Sequence, residues 1–339
     1  MKFYVGIDLH STNSYLSIIN EEGKELDSMR LANDLDLICK KLDHYKAGIQ
    51  SVIIESTYNW YWLADGLREN QFPVRLANPV AMKRYEGIKS TNDHTDAQYL
   101  AELDRLNILP TGYIHKKEDR YLRDLLRTRL QLVRLQTLIL LSLQSMLDRH
   151  QNVRLPGRKV KELTPEDLHQ HFSTEYEYIA SGCRLKVLKS LMQEIQFIEV
   201  KLEEFLKENT AYRRLLLVPG IGKILAKTIF LETGAISRFK KVGCYASYCR
   251  CVQTKRISNG KSKGTNNRKN GNAYLHWAYL EAANIAIRSY PEIKSYYQKR
   301  LTRTHRVSAL NAVAHKLANA VFFILRDGVN FTMNKLFCS

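Results

Sequence analysis

The chain has 339 residues, 45% of them hydrophobic, which is enough to bury the cores of two or three domains and excludes a disordered chain. Its formal net charge of +18 is unevenly divided: residues 1–110 carry 12 Lys and Arg against 16 Asp and Glu, and residues 111–339 carry 40 against 18. The basic part points to a polyanionic partner through counterion release, the plainer alternative being general solubility.

The opening MKFYVGIDLH has no long apolar stretch, so no signal peptide is expected. Later apolar stretches are broken by Arg, Lys or Asn, so no membrane span is expected either. The six cysteines (Cys39, Cys183, Cys244, Cys249, Cys251 and Cys338) have no CxxC spacing. They read as reduced, mostly buried thiols of a cytoplasmic protein rather than zinc ligands.

In chain order, residues 2–8 and Ser14 to Asn20 read as strands, and Glu25 to Leu31 returns as a third after the turn at Glu21 to Lys24. Leu35, Ile38 and Leu42 then recur at helical spacing. The apolar run 50–55 reads as a buried parallel strand. Residues 59–70 read as a helix, Phe72 to Leu76 as a fifth strand, and about Asp96 to Leu106 as a last helix. The order βββαβαβα is that of an α/β RNase-H-like domain with a mixed five-stranded sheet.

This order ends the first strand at Asp8 and the fourth at Glu55, and places Asp93 and Asp96, three apart, at the start of the last helix. Four carboxylates in one cleft repel one another unless hard cations neutralise them, and a pair of Mg²⁺ ions (Mn²⁺ being the alternative) there would serve phosphoryl displacement. Each acid also has a plainer role: strand-end solvation for Asp8 and Glu55, helix N-terminal acids for Asp93 and Asp96, or an N-cap for Asp93. An actin-like phosphate loop shares such a first strand but needs Gly where this chain has His10.

Residues 118–148 form a long helical pattern with Arg120, Arg123, Arg127 and Arg134 on one face, either a phosphate-tracking stripe or a solvated face. Residues 156–183 read as a polar connector with some helix. From Leu188 onward Leu188, Leu191, Ile195, Ile198, Leu202 and Phe205 form an a/d seam, which suggests a coiled coil with the first long helix or with another subunit. Residues 215–234 read as a helix-hairpin-helix, in which Gly220 and Gly222 of the PGIG hairpin offer backbone N–H groups to phosphate; an ordinary tight turn is the alternative. The segment 250–273 contains Lys255, Arg256, Lys261, Lys263, Arg268 and Lys269 and no acid, and its composition is that of a flexible basic loop for a phosphate backbone. Ser258 lies within it, a candidate nucleophile by chemistry and a common loop residue by composition. Residues 274–289 and 307–326 read as helices of a compact domain, with His315 a packed or capping residue.

GID with Asp8, IIES with Glu55 and DHTDA with Asp93 and Asp96, followed by VPGIG, SRF at Ser237–Phe239, SNG and RKNGN, together resemble the DEDD insertion-sequence transposases, the bridge-RNA-guided recombinases, over nearly the whole chain. The resemblance implies a RuvC-like domain (1–115), a helical coiled-coil region (116–208) and a C-terminal transposase domain (209–331). It also implies a serine nucleophile just before a glycine, which falls on Ser258. Many members read Ser-Gly directly and carry Gly-Leu-x-Pro shortly before. This chain reads Ser258-Asn259-Gly260 after Cys249-Arg250-Cys251-Val252, which leaves Ser262 as a second candidate.

The expected function is a transposase that cuts and rejoins donor and target double-stranded DNA through a metal-bound tetrad and a phosphoserine link. The expected partners are a non-coding bridge RNA and further copies of the chain, as a dimer of dimers, and the expected location is the cytoplasm, on the nucleoid. A RuvC-like junction endonuclease that uses water and a non-catalytic nucleic-acid-binding protein are the alternatives.

Overall fold

A computed structural model describes residues 1–82, 92–252, 255–265 and 270–337. The chain divides into two compact units, Met1–Lys117 and Glu118–Ser339.

The first unit is built on β1 (Phe3–Leu9), β2 (Asn13–Asn20), β3 (Glu25–Ala32), β4 (Ile49–Glu55), β5 (Val74–Ala77) and β6 (Thr111–Gly112), in spatial order β3-β2-β1-β4-β5-β6. The first three strands form an antiparallel meander, β4 and β5 add in parallel, and β6 closes the edge antiparallel to β5. The sheet therefore has six strands rather than five. A two-residue strand is too short to show alternation, so β6 leaves no mark in the hydrophobic pattern.

The two faces of the sheet are covered differently. Val5, Ile7, Leu9, Val52 and Ile54 pack with Ile38 and Leu42 of α1 (Leu35–Asp43) and Leu63 and Leu67 of α2 (Tyr61–Glu69). After α3 (Pro79–Met82), the opposite face takes α4 (Asp93–Arg105), whose Leu100 and Leu103 pack on Ile53. Helix α4 begins three residues earlier than the periodicity suggested, because Asn92 and Thr95 form a reciprocal capping box. Asn92 is thus the N-cap, and Asp93 is released from that role.

The second unit opens with α5 (Lys117–Gln151), then α6 (Gly157–Glu162), α7 (Pro165–His171) and α8 (Glu175–Leu206). The expected connector is mostly helical, since Thr164 and Thr174 each cap a helix and Val160, Leu168 and Phe172 are buried. Helices α5 and α8 run antiparallel, joined by Arg129–Glu199 at 2.5 Å, Arg184–Ser142 at 3.0 Å and His150–Glu177 at 2.7 Å. The seam on α8 buries Leu188, Ile195, Ile198 and Leu202 but ends on Leu206, leaving Phe205 69% exposed.

The remaining helices are α9 (Thr210–Leu215), α10 (Lys223–Thr233), α11 (Val242–Tyr248), α12 (Ala273–Ser289), α13 (Pro291–Leu301), α14 (Arg306–Asp327) and α15 (Asn334–Phe337). Their core gathers Leu215, Ile229, Tyr245, Leu275, Tyr279, Ala282, Val313 and Phe322. Both α5 and α14 are long and apolar enough to cross a membrane by length and composition, where no such stretch was expected. In α5 the charges crowd into the first half, and in α14 the apolar face belongs to the core. Cys39, Cys249 and Cys251 are buried, Cys183 and Cys244 are exposed, and Cys338 lies outside the described residues.

Candidate functional site

The parallel register of β1 and β4 pairs Ile7 with Ile54, so Asp8 and Glu55 come next, side by side on the face that α4 covers. Gly6 makes the helix possible there. A Cβ at this position would stand 1.9 Å from the carbonyl oxygen of Ala97, so only glycine lets α4 lie against β1 and bring Asp93 and Asp96 up to Asp8. Helix α4 is pinned at its start by His94, 2.8 Å from Glu25, and near its end by Asp104, which is buried and bonded to Ser51 and Arg75.

Three of these carboxyls, Asp8, Glu55 and Asp96, hold their protons more tightly than usual. Burial raises the Asp8 carboxyl above the usual range and the charges of Asp96 and Asp93 raise it further, against the pull of His10. Glu55 is raised by burial, then by Asp8 and Asp96. Asp96 is raised by burial, then by Asp93. Burial is the largest cause in each case and the neighbouring acids add to it; a bound cation would offset both. The donors are hard oxygens, the set that Mg²⁺ or Mn²⁺ accepts, so the residues fit such an ion.

His10 enters this cluster unforeseen. Its Nε2 lies 3.1 Å from Asp8 Oδ2 and 3.2 Å from Asp93 Oδ1. The one available signal was the Asp-x-His spacing at a strand end, since alternation sends both side chains to one side.

Ser258 is exposed at the end of β7 (Lys255–Ser258), which pairs antiparallel with β8 (Lys261–Thr265). The expected flexible loop is a hairpin here. Asn259 and Gly260 have φ of 49° and 71°, as a two-residue type I′ turn requires, and Asn-Gly is the pair that favours it. Lys261 stands directly opposite Ser258, with Lys263 two residues on along the same face; both are exposed. Lys255 and Arg256 belong to β7, while Arg268 and Lys269 lie outside the described residues.

The arginines of α5 are not an open stripe. Arg120 and Arg123 are buried, and Arg123 and Arg127 close on Glu232 of α10, which is wholly buried, at 2.7–2.9 Å. Burial alone would raise the Glu232 carboxyl, but the Arg127 hydrogen bonds and the two guanidinium charges bring it down to about 2. The arginine spacing could not reveal this, because the partner lies about a hundred residues away. The PGIG turn joins α9 to α10. Gly220 has φ of 78°, and a Cβ there would stand 2.1 Å from the Ala282 carbonyl oxygen, so this glycine serves close packing on α12. Gly222 is the N-cap of α10 and a Cβ on it would meet nothing within 4 Å.

The structure also shows a basic corner that spacing did not mark. Lys294, Lys299, Arg300, Arg303 and Arg306, from α13 into α14, are exposed, and among the described residues none has an acidic partner within 4 Å. No acid occurs between Glu292 and Asp327.

Comparison with known proteins adds an independent line. Residues 5–152 match a transposase family profile, DEDD_Tnp_IS110, and residues 212–298 match that of the transposase IS116/IS110/IS902 family; together they cover more than half of the chain. A "Probable family 20 transposase" of Pseudomonas aeruginosa is 24% identical over 76% of this chain and 77% of its own length. The "Transposase for insertion sequence element IS1111A" of Coxiella burnetii is 23% identical over 95% of this chain and 89% of its own. Having both domains in this order, the chain belongs to the IS110/IS116 family of insertion-sequence transposases, enzymes of DNA strand transfer.

Proposed function

We propose that this transposase cuts and rejoins donor and target DNA with an RNase-H-like, RuvC-like domain that holds Mg²⁺ on Asp8, Glu55, Asp93 and Asp96, and with Ser258 as nucleophile. The observation that carries the metal half is that Asp8, Glu55 and Asp96 all hold their protons more tightly than usual, first through burial and then through neighbouring acids, a cost that a divalent cation offsets. When bound, that ion supplies charge neutralisation at the scissile phosphate.

The serine half rests on the family resemblance and on the exposure of Ser258 opposite Lys261. Attack by Oγ forms one P–O bond to serine and breaks one P–O bond of the DNA backbone. The serine proton ends on the departing DNA hydroxyl, and reversal on a new strand rejoins the chain without ATP. Lys261 and Lys263 lower the cost of bringing the phosphate to the hydroxyl.

Guidance by a bridge RNA, assembly as a dimer of dimers through the long helices and action in the cytoplasm on nucleoid DNA follow from the resemblance. In this scheme base pairing reads sequence while basic protein surface holds shape and backbone. Lys261, Lys263 and the corner from Lys294 to Arg306 serve as backbone contacts. Arg123 and Arg127 do not, being committed to Glu232.

The test is a strand-exchange reaction with element-end DNA, RNA transcribed from the element flanks, and Mg²⁺. Wild type should yield a protein–DNA adduct that survives denaturation, and Ser258→Ala should give neither adduct nor product. Full exchange by Ser258→Ala would transfer the role to water or to Ser262. Equal product with and without the RNA would remove the guide.

A further inference from the structure

We propose that His10 is a nitrogen donor to the metal centre, so that the site combines one imidazole with carboxylate oxygens and, while accepting Mg²⁺, binds Mn²⁺ more tightly. This rests on the metal reading of the acidic cluster and adds a donor outside the four acids.

Three observations carry it. The first is spacing. His10 Nε2 is 3.1 Å from Asp8 Oδ2 and 3.2 Å from Asp93 Oδ1, and the three donor atoms all lie within 4.8 Å of one another. An octahedral ion with bonds of about 2.1 Å needs adjacent donors about 3 Å apart. Both contacts have that separation.

The second is how the residue is held. His10 stands just beyond β1, at the turn into β2. Its N–H donates to the Asn13 carbonyl at 3.0 Å, and its own carbonyl accepts from the side-chain amides of Asn33 at 3.0 Å and Asn59 at 2.9 Å. Asn33 is itself fixed by the Ser14 hydroxyl at 2.6 Å. Amides from two separate loops thus converge on one backbone carbonyl. A histidine serving only as a loose counter-charge to exposed acids needs no such clamp, whereas a ligand must be pre-oriented.

The third is chemistry. Mg²⁺ prefers oxygen and retains water, while imidazole raises the affinity of transition ions over it. A carboxylate-only centre discriminates weakly between Mg²⁺ and Mn²⁺, and one nitrogen shifts the balance to Mn²⁺. The other histidine nearby, His94, is turned to Glu25 and lies tilted against the Tyr15 ring, so it is not the donor.

Full-length protein loaded with Mn²⁺ alone distinguishes the outcomes through pulsed EPR and calorimetry. Wild type should show ¹⁴N coupling to bound Mn²⁺. His10→Ala should lose that coupling and bind Mn²⁺ roughly tenfold or more weakly, with a smaller change for Mg²⁺. His94→Gln should keep the coupling, and Asp8→Asn should bind little Mn²⁺ at all. Bound Mn²⁺ without nitrogen coupling in wild type, or coupling that persists in His10→Ala, overturns the His10 assignment and leaves the acidic site standing. No Mn²⁺ bound to wild type overturns both.

Discussion

Asn272 donates its side-chain amide to Glu232 at 2.8 Å, on the same carboxylate that receives Arg123 and Arg127. Asn272 is also the N-cap of α12, and its N–H bonds the Tyr248 carbonyl at 2.7 Å. One buried carboxylate therefore joins α5, α10 and the start of α12. Both carboxylate oxygens are used by these donors, so removing the carboxylate would leave two inward guanidinium groups with no counter-charge from it.

Removal of that carboxylate is the first test. Glu232→Ala leaves two inward arginines uncompensated and should cost about 3–5 kcal/mol, seen as a fall in Tm of roughly 10 °C for a unit of this size. A melt within a degree or two of wild type would mean that the network contributes little.

The same residue sets an acid limit. The folded carboxyl titrates at about 2, below its ordinary value of 4.5, so the folded chain binds fewer protons than the unfolded one between these values. Its stabilisation is complete above pH 4.5 and is lost as pH falls toward 2. Urea midpoints of wild type should fall between pH 5 and 3 more steeply than those of Glu232→Gln. Parallel curves would refute the assignment.

The acidic cluster has the opposite sign. Asp8, Glu55 and Asp96 hold protons more tightly folded than unfolded, so their ionisation near neutral pH opposes folding of the metal-free protein. Asp8→Asn should melt higher than wild type in chelator and lose the upward shift that Mg²⁺ gives wild type. A lower melt in chelator, or an unchanged Mg²⁺ shift, would count against a metal-hungry site.

Two glycines should be intolerant of alanine for one reason, a helix pressed on their Cα. Gly6→Ala meets Ala97 and Gly220→Ala meets Ala282, the second also at positive φ. Each should cost roughly 2 kcal/mol or more, and Gly6→Ala should also weaken Mg²⁺ binding. Gly222→Ala, in open space, should change Tm little. Equal effects at Gly220 and Gly222 would show that the packing argument fails.

The basic corner can be read through salt. Replacing Arg300, Arg303 and Arg306 together by Ala should lower the slope of log K against log salt for DNA binding by about 2–3, similarly for unrelated sequences. Arg158→Ala, whose guanidinium is 3.0 Å from Glu162, serves as the control. An unchanged slope in the triple variant would move the contact surface elsewhere.

The sequence by itself determined the order of the first five strands and the helices between them, the positions of the four acids at strand ends and a helix start, and the split between an acidic front and a basic remainder. Those properties are written in local periodicity and composition, which neighbouring residues settle among themselves. Only the tertiary structure decided what the conspicuous charges meet. Arg123 and Arg127 have the spacing of a phosphate stripe, yet Glu232, far along the chain, takes them inward. His10 looked like a missing glycine until α4 brought Asp93 to its ring. Asn259-Gly260 is the case where local chemistry was sufficient and a composition rich in Lys, Gly and Asn obscured it: the pair carries the turn, and the turn makes the hairpin that presents Ser258. Long-range pairing of charges costs chain entropy and leaves no periodic trace. It shows only when the fold has put distant residues within hydrogen-bonding distance.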